Sequence, residues 1–330
     1  MNKVRPIKIS INENEKELGF SILNINLKGD NINHVIINSL KRIIQTDIPI
    51  FAFNSFDITS NTSVFNNNYL KNHIKNIPVW GIENNFEEFI EEKKEENENE
   101  FSENTGLIND DIDLNIDKNV DFSSINKLTM YVDFKNDTQE VVTVTTNNCK
   151  FYYKQEMIDS PYKNAVQIVK LQPGQEIKLS AKAELGNEEL SEIFSAISAC
   201  YFKENNEKDY DFIVESIGQL TEKRIIELAI KRLKKKLTNF NQNLPKNNGL
   251  EGTIIVDNED HTLGNIISYG MQNHSAVQFC GYNTPHPLNK QIKFHYKLNT
   301  GNLNSIIKDV IAYYENIFDN INDIIKKLVK

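Results

Sequence analysis

Several groups of residues in this 330-residue chain are of types that could do chemistry. Asp260-His261 and, further on, Cys280 are the parts of a thiol nucleophile with its base and orienting carboxylate. Such catalysis needs thiolate and base within hydrogen-bonding reach, and donors for the oxyanion. Nothing in the spacing supplies that geometry. The competing reading is structural and is preferred: Asp260 or Thr262 caps the helix that follows, and Gly264 permits close packing. His261, His286 and His295 are of a type that binds metal, but no HxxxH or Cys/His pair at ligand spacing accompanies them. Structural histidines are the simpler reading. The basic run Lys231, Arg232 and Lys234 to Lys236 could meet phosphate. On a helix whose other face is Ala229, Leu233 and Leu237, it better fits a solvated or partner-facing stripe. Asp110-Asp111-Ile112-Asp113 gathers carboxylates, but in a segment with no scaffold to hold them. Asn38, Lys41 and Arg42 form a polar patch on a predicted helix.

The chain that must position these groups is ordinary for a globular protein, 39% hydrophobic and 25% charged, and long enough for two or three domains. Its net charge of −9 is unevenly spread. Residues 83–121 hold fifteen Asp/Glu against three Lys, a balance of −12, which leaves the remainder near +3. That is not the basic profile of a free-standing nucleic-acid binder. Low hydrophobicity and repelling charge make 83–121 a predicted disordered acidic loop. Cys149, Cys200 and Cys280 are far apart, so neither a disulfide framework nor a zinc ribbon is expected. No run approaches the roughly 20 apolar residues of a membrane span, and the N-terminus lacks the apolar core of a signal peptide, so an intracellular protein with no membrane partner is expected.

Periodicity then gives the elements. Residues 7–11 and 17–27 alternate as strands. Asp30 stands where an N-cap belongs, before a helix over 31–45 with Ile32, Ile36, Leu40 and Ile43 on one face. Phe51, Phe53, Phe56 and Ile58 predict a strand that changes phase near Asn54, followed by a short helix around 66–76. Strands follow at 128–134, 141–146 and 149–153, and at Val166–Ile168 and Ile177–Ala183 about a Pro173-Gly174 turn. Residues 187–202 suit either strand or helix, and 212–215 a short strand. Thr221 caps a helix carrying Ile225, Ala229, Leu233 and Leu237. Residues 241–249 are polar and turn-rich, a predicted linker. The last 80 residues read as β-α-β-β-α. They end in a helix whose stripe is Ile306, Val310, Tyr313, Ile317, Ile321, Ile324 and Leu328. Its roughly 40 Å length at 1.5 Å per residue calls for a second helix beside it.

With the elements placed, the motifs become specific. Asp260-His261-Thr262-Leu263-Gly264-Asn265, the strand Val277–Tyr282 with its Gly281-Tyr282 turn, and Pro285-His286-Pro287-Leu288 resemble the signature of the eleventh subunit of eukaryotic RNA polymerase II and archaeal subunit L. The likeness covers about 250–330. The first part resembles that subunit's partner, the third subunit, with archaeal D and bacterial alpha. Asn38-Ser39-Leu40-Lys41-Arg42-Ile43, Asn61-Thr62-Ser63, Ile77-Pro78, Leu171–Gln175 and Val214–Gly218 fall at the family's positions. Both families in one chain resemble the fused arrangement of large cytoplasmic DNA viruses. Two positions depart from the pattern: His73 and Lys75 stand where the family has Arg and Gly, and Asn187–Tyr201 replaces a Lys-Trp-Ser-Pro-like stretch.

The resemblance implies an α+β fold. Two dimerisation modules (1–82 with 163–240, and 250–330) would pack through long helices, with an inserted, mostly β domain at 83–162. The helical stripes named above, Ile32 to Ile324, would form the junction. It implies a non-catalytic subunit of a DNA-directed RNA polymerase, since the magnesium-binding aspartates belong to the largest subunits. Those two subunits are the implied partners, with Asn38, Lys41 and Arg42 docking one of them and Arg42 meeting a carboxylate there. Small subunits resembling the eukaryotic tenth and twelfth are implied too, and contact with DNA only through the complex. No cofactor is expected: some relatives hold zinc or an iron–sulfur cluster in the insert, but here it offers only Cys149. Virion and host cytoplasm, or the nucleus for a cellular protein, are the implied locations.

Overall fold

A computed structural model of the chain describes residues 5–17, 20–80, 128–153, 156–244, 249–286 and 290–328. The acidic segment 83–121 and Pro287 lie outside the described residues. Two compact units divide the chain: residues 1–48 with 187–330, and residues 49–186. The second unit differs from the domain limits read from the sequence. Residues 49–80 and 163–186 fold with the described part of the inserted segment rather than with the first module. The reason is strand pairing. Strand β3 (Ile50–Asn61) pairs along its length with β9 (Glu176–Gly186), and β9 pairs on its other edge with β4 (Leu128–Lys135).

In that unit β6 (Cys149–Tyr153) and β7 (Glu156–Ile158) complete a five-stranded sheet of order β3-β9-β4-β6-β7. Strands β5 (Val142–Thr145) and β8 (Gln167–Leu171) form a separate ribbon, and α2 (Asn67–Lys75) follows β3. The phase change near Asn54 is a bulge between Phe53 and Ser55, which turns Phe51 and Phe53 into the core before Phe56.

The first unit is built twice over. Its N-terminal half has β1 (Lys8–Glu17), β2 (Phe20–Lys28), α1 (His34–Thr46), β10 (Ile197–Asn206), β11 (Asp209–Ser216) and α3 (Glu222–Gln242). Its C-terminal half has β12 (Glu251–Asp257), α4 (His261–Gln272), β13 (Val277–Asn283), β14 (Gln291–Leu298) and α5 (Leu303–Leu328). Strand order is β1-β2-β11-β10 in one sheet and β12-β14-β13 in the other. Apart from the extra edge strand β1, each half is strand, helix, strand, strand, helix, with the last strand central.

Local chemistry explains two corrections and settles one open reading. The N-cap of α1 is Asn33, not Asp30: Asn33 Oδ1 accepts from the N–H groups of Val35 and Ile36 at 3.0 and 3.2 Å. Asp30 instead takes Arg5 (2.5 Å) and Lys208 (2.7 Å), and those two cations hold its carboxyl below the usual carboxylate value. Residues 187–202 resolve as one 3-10 turn, Glu192–Phe194, and then strand β10, because Phe194 and Ile197 are buried while Leu190 is exposed. The second correction is to the predicted linker, where α3 runs on through Gln242.

Helix α5 packs against α3, α4 and β1. Its inner face carries Ile306, Val310, Ile317 and Ile321, but Tyr314 and Ile325 take the places given to Tyr313 and Ile324, which are only half-buried, and Leu328 is exposed. A strict heptad stripe is narrower than the face of a helix covered by several neighbours, which also buries Leu303, Ile307, Ile311 and Phe318. Two close approaches depend on missing side chains. A Cβ at Gly270 would lie 2.5 Å from Val310 Cγ1, and one at Gly264 would lie 2.6 Å from the Tyr282 ring.

Candidate functional site

The candidate site is the seam where the two halves of the first unit meet. Helix α1 packs on α3 and α4, α3 on α5, and α4 on α5, so the four helices share one apolar interior. Ile32, Ile36, Leu40 and Ile43 are buried, as are Ile225, Ala229, Leu233 and Leu237. At about 25 cal/mol per Å², each fully covered Ile or Leu contributes roughly 1.5–3 kcal/mol. Those burials hold the two sheets to a common helical layer.

Across this apolar layer runs a line of charge. Arg42 on α1 reaches the start of α4, where its Nη2 lies 2.6 Å from Asp260 Oδ2 and its Nε donates to Thr262 Oγ1 at 2.8 Å. Asp260 is itself the cap of α4, its Oδ1 accepting from the Thr262 N–H at 2.8 Å. Burial alone would raise the Asp260 carboxyl, but the hydrogen bonds from Arg42 and from Thr262 outweigh it and hold it below the usual carboxylate value. Beside this pair, Asp47 at the end of α1 is 3% exposed and faces two cations of α3, Lys236 at 3.5 Å and Arg232 at 3.7 Å. Lys236 also meets Glu259 at 3.2 Å. Burial by itself would lower the Lys236 ammonium, and Asp47 and Glu259 together raise it instead. Glu259 stays above its usual value, because burial weighs more than the pull of Lys236.

The sequence-predicted residues fall on this seam unevenly. Arg42 finds its carboxylate inside the chain, at Asp260, rather than on a large subunit. Lys41 is half-buried with its ammonium 6.0 Å from the centroid of the Phe202 ring on β10, and Asn38 is half-buried on the same helix. Of the two cap candidates, Asp260 makes the cap and Thr262 serves Arg42. Leu263 and Gly264 are buried and Asn265 half-buried. His261 Nδ1 lies 3.3 Å from the Tyr282 hydroxyl, and Gly281 sits under the Phe279 ring. Pro285 and His286 are exposed. The basic run contributes to the seam itself, through Arg232 and Lys236, while Lys234 pairs with Asp319 of α5. Sequence reasoning missed Asp47 and Glu259. The one signal was their place at helix ends, Asp47 just before Ile48-Pro49 and Glu259 just before a cap.

The residues of a thiol enzyme do not assemble. Cys280 is fully buried against Met271 (Sγ to Sδ 3.6 Å), and burial pushes its thiol up to about 11. Burial likewise pushes Cys149 and Cys200 up to about 12. At pH 8 a thiol of pKa about 11 is thiolate about one time in a thousand. Iodoacetamide should therefore label the native protein at pH 8 only slowly and all three thiols rapidly in denaturant, as read by intact mass. Among the described residues no group of three His, Cys, Asp or Glu side chains is placed to hold a metal ion.

Comparison with known proteins finds the same family twice. Residues 28–237 match the RNA polymerase Rpb3/Rpb11 dimerisation domain, and residues 251–323 match a second model of that description. A chain named as DNA directed RNA polymerase subunit R470 of Acanthamoeba polyphaga mimivirus is 26% identical over 325 residues, covering 92% of this chain and 90% of that one. A Caenorhabditis elegans chain named as DNA-directed RNA polymerases I and III subunit RPAC2 is 39% identical over 70 residues, 21% of this chain and 49% of its own length. The zebrafish (Danio rerio) RPAC2 is 32% identical over 75 residues, 19% of this chain and 67% of its own. The chain thus spans about half the length of the nematode relative and nearly all of the viral one. With one match over most of its length and a second within its last quarter, the chain belongs to the RNA polymerase Rpb3/Rpb11 dimerisation-domain family, as a non-catalytic subunit carrying two such domains in one polypeptide.

Proposed function

We propose that this chain is the assembly scaffold of a multisubunit DNA-directed RNA polymerase, the internal equivalent of a third-subunit/eleventh-subunit heterodimer. Its paired halves seat the largest and second-largest subunits, which carry the chemistry. Small subunits resembling the eukaryotic tenth and twelfth join them, and DNA is met only through the complex. Asn38 and Lys41 are the proposed docking residues of α1, since Arg42 is engaged by Asp260. Virion and host cytoplasm are the proposed location for a viral complex.

The observation that carries this reading is the helical layer shared by α1, α3, α4 and α5, closed by Arg42 and Asp260 from distant parts of the sequence. One short connection joins the halves, so each is held near the other at an effective concentration of about millimolar. Pairing then precedes any encounter with larger subunits. Tagged protein co-expressed with the two large subunits should capture both, and alone it should make no RNA on a primed template. RNA synthesis by the isolated chain, or failure to capture either large subunit, would overturn the proposal.

A further inference from the structure

The two halves of the first unit are alike in plan but not in chemistry along their seam. Counted from the caps Asn33 and Asp260, Arg42 on α1 and Tyr269 on α4 occupy the same position of the same helix. Each reaches toward the start of the other helix. Arg42 meets Asp260 and Thr262 through charge and hydrogen bonds, whereas Tyr269 meets His34 edge to face, at 6.0 Å between ring centroids. The residues leading into each cap differ in the same sense: next to the cap stands Glu259 on one side and Ile32 on the other, with Asn31 one residue earlier. Glu259 meets Lys236, while on the opposite side Asn31 accepts from the Tyr313 hydroxyl at 3.3 Å. Where α1 and α4 meet, one side of the seam is ionic and the other neutral and aromatic.

From this handedness we infer that Arg42, Asp260, Lys236 and Glu259 are pairing-specificity residues, which select an N-terminal half bound to a C-terminal half and reject like-with-like pairs formed with a second copy of the chain. The inference rests on the assembly reading above and names its selectivity. In a pair of N-terminal halves docked by the same helices, Arg42 of each copy faces Asn33 and His34 of the other, and Lys236 faces Ile32 in place of Glu259. Neither Arg42 nor Lys236 then meets a carboxylate of the other copy. In a pair of C-terminal halves, Asp260 and Glu259 face Tyr269 and meet neither Arg42 nor Lys236. Each wrong pair strands partly covered charges, which is how discrimination is gained from repulsive or unpaired contacts as well as attractive ones. The apolar interior, by contrast, is Ile- and Leu-rich on both sides and discriminates weakly.

The test uses the full chain with a protease site in place of residues 245–248, cleaved after folding. Two preparations, one isotopically labelled, are mixed and the pairs are counted by native mass spectrometry. Wild-type halves should stay together as mixed pairs only. Arg42→Gln, or Asp260→Asn (which keeps a capping side chain, so that α4 still starts correctly), should weaken mixed pairing about tenfold and bring like-with-like pairs to roughly a tenth of the total. The double variant should lose no more than either single one. Variants that pair more weakly, yet with like-with-like pairs still absent and with additive losses, would overturn the specificity role and leave the assembly reading standing. Wild-type halves that separate on cleavage would overturn both.

Discussion

Replacing Lys236 by methionine should destabilise the protein by about 3 kcal/mol at neutral pH, since breaking a buried ionic contact leaves uncompensated charge behind. Lys236 is the cation shared by Asp47, 3% exposed, and Glu259, 15% exposed. The methionine stem still fills the volume, so the loss reports charge rather than packing. The deficit should depend on pH with a defined sign. Glu259 is already held above its usual value by burial, and without Lys236 it rises further. A carboxyl whose folded pKa is raised penalises the fold above that pKa, and the penalty disappears as pH falls toward the unfolded value. The variant should therefore approach wild type on acidification toward the ordinary carboxylate range. Lys236→Met with Glu259→Gln should recover part of the loss at neutral pH. Urea midpoints from pH 4.5 to 8 measure both effects, and a deficit independent of pH would contradict them.

Tyr314→Ala should cost about 4 kcal/mol, in the range for removing a large buried aromatic side chain. Tyr314 is 1% exposed, packs against Phe318, and lies where a Cβ on Gly270 would be 2.8 Å from its ring. Its truncation opens the contact of α5 with Gly270 of α4. The neighbouring Tyr313→Ala should cost only about 1 kcal/mol, the value of one hydrogen bond and some half-covered surface. Denaturant unfolding of the two variants distinguishes the faces of α5, and equal losses would place the inner stripe where the heptad reading put it.

That stripe shows what the sequence could and could not reveal. Alternation and helical spacing located α1, α3, α4 and α5 within a few residues, because each buries one face and apolar side chains must recur at the period of that face. The spacing did not say how wide the covered face is, and so Tyr313 and Ile324 were preferred to Tyr314 and Ile325. The cap of α1 was misassigned because Asp30 and Asn33 are both good caps, and the choice depends on Arg5 and Lys208, which only the fold brings to Asp30. The domain limits failed for a related reason. Pairing of β3 with β9 joins segments far apart in sequence, and no local pattern announces a partner. At the seam, the motif residues Asp260 and Thr262 were legible as a helix start, while the role of Arg42 on them was not. Charges that meet across two modules look like surface charges when each module is read alone.

The most direct test of the central claim is the subunit count of the native polymerase purified through this chain, measured by intact-complex mass spectrometry. One copy of the chain together with both large subunits, and no separate small subunit bearing an Rpb11-type domain, is the predicted result. A second polypeptide of that type bound to the N-terminal half, with the C-terminal half of this chain displaced, would contradict it.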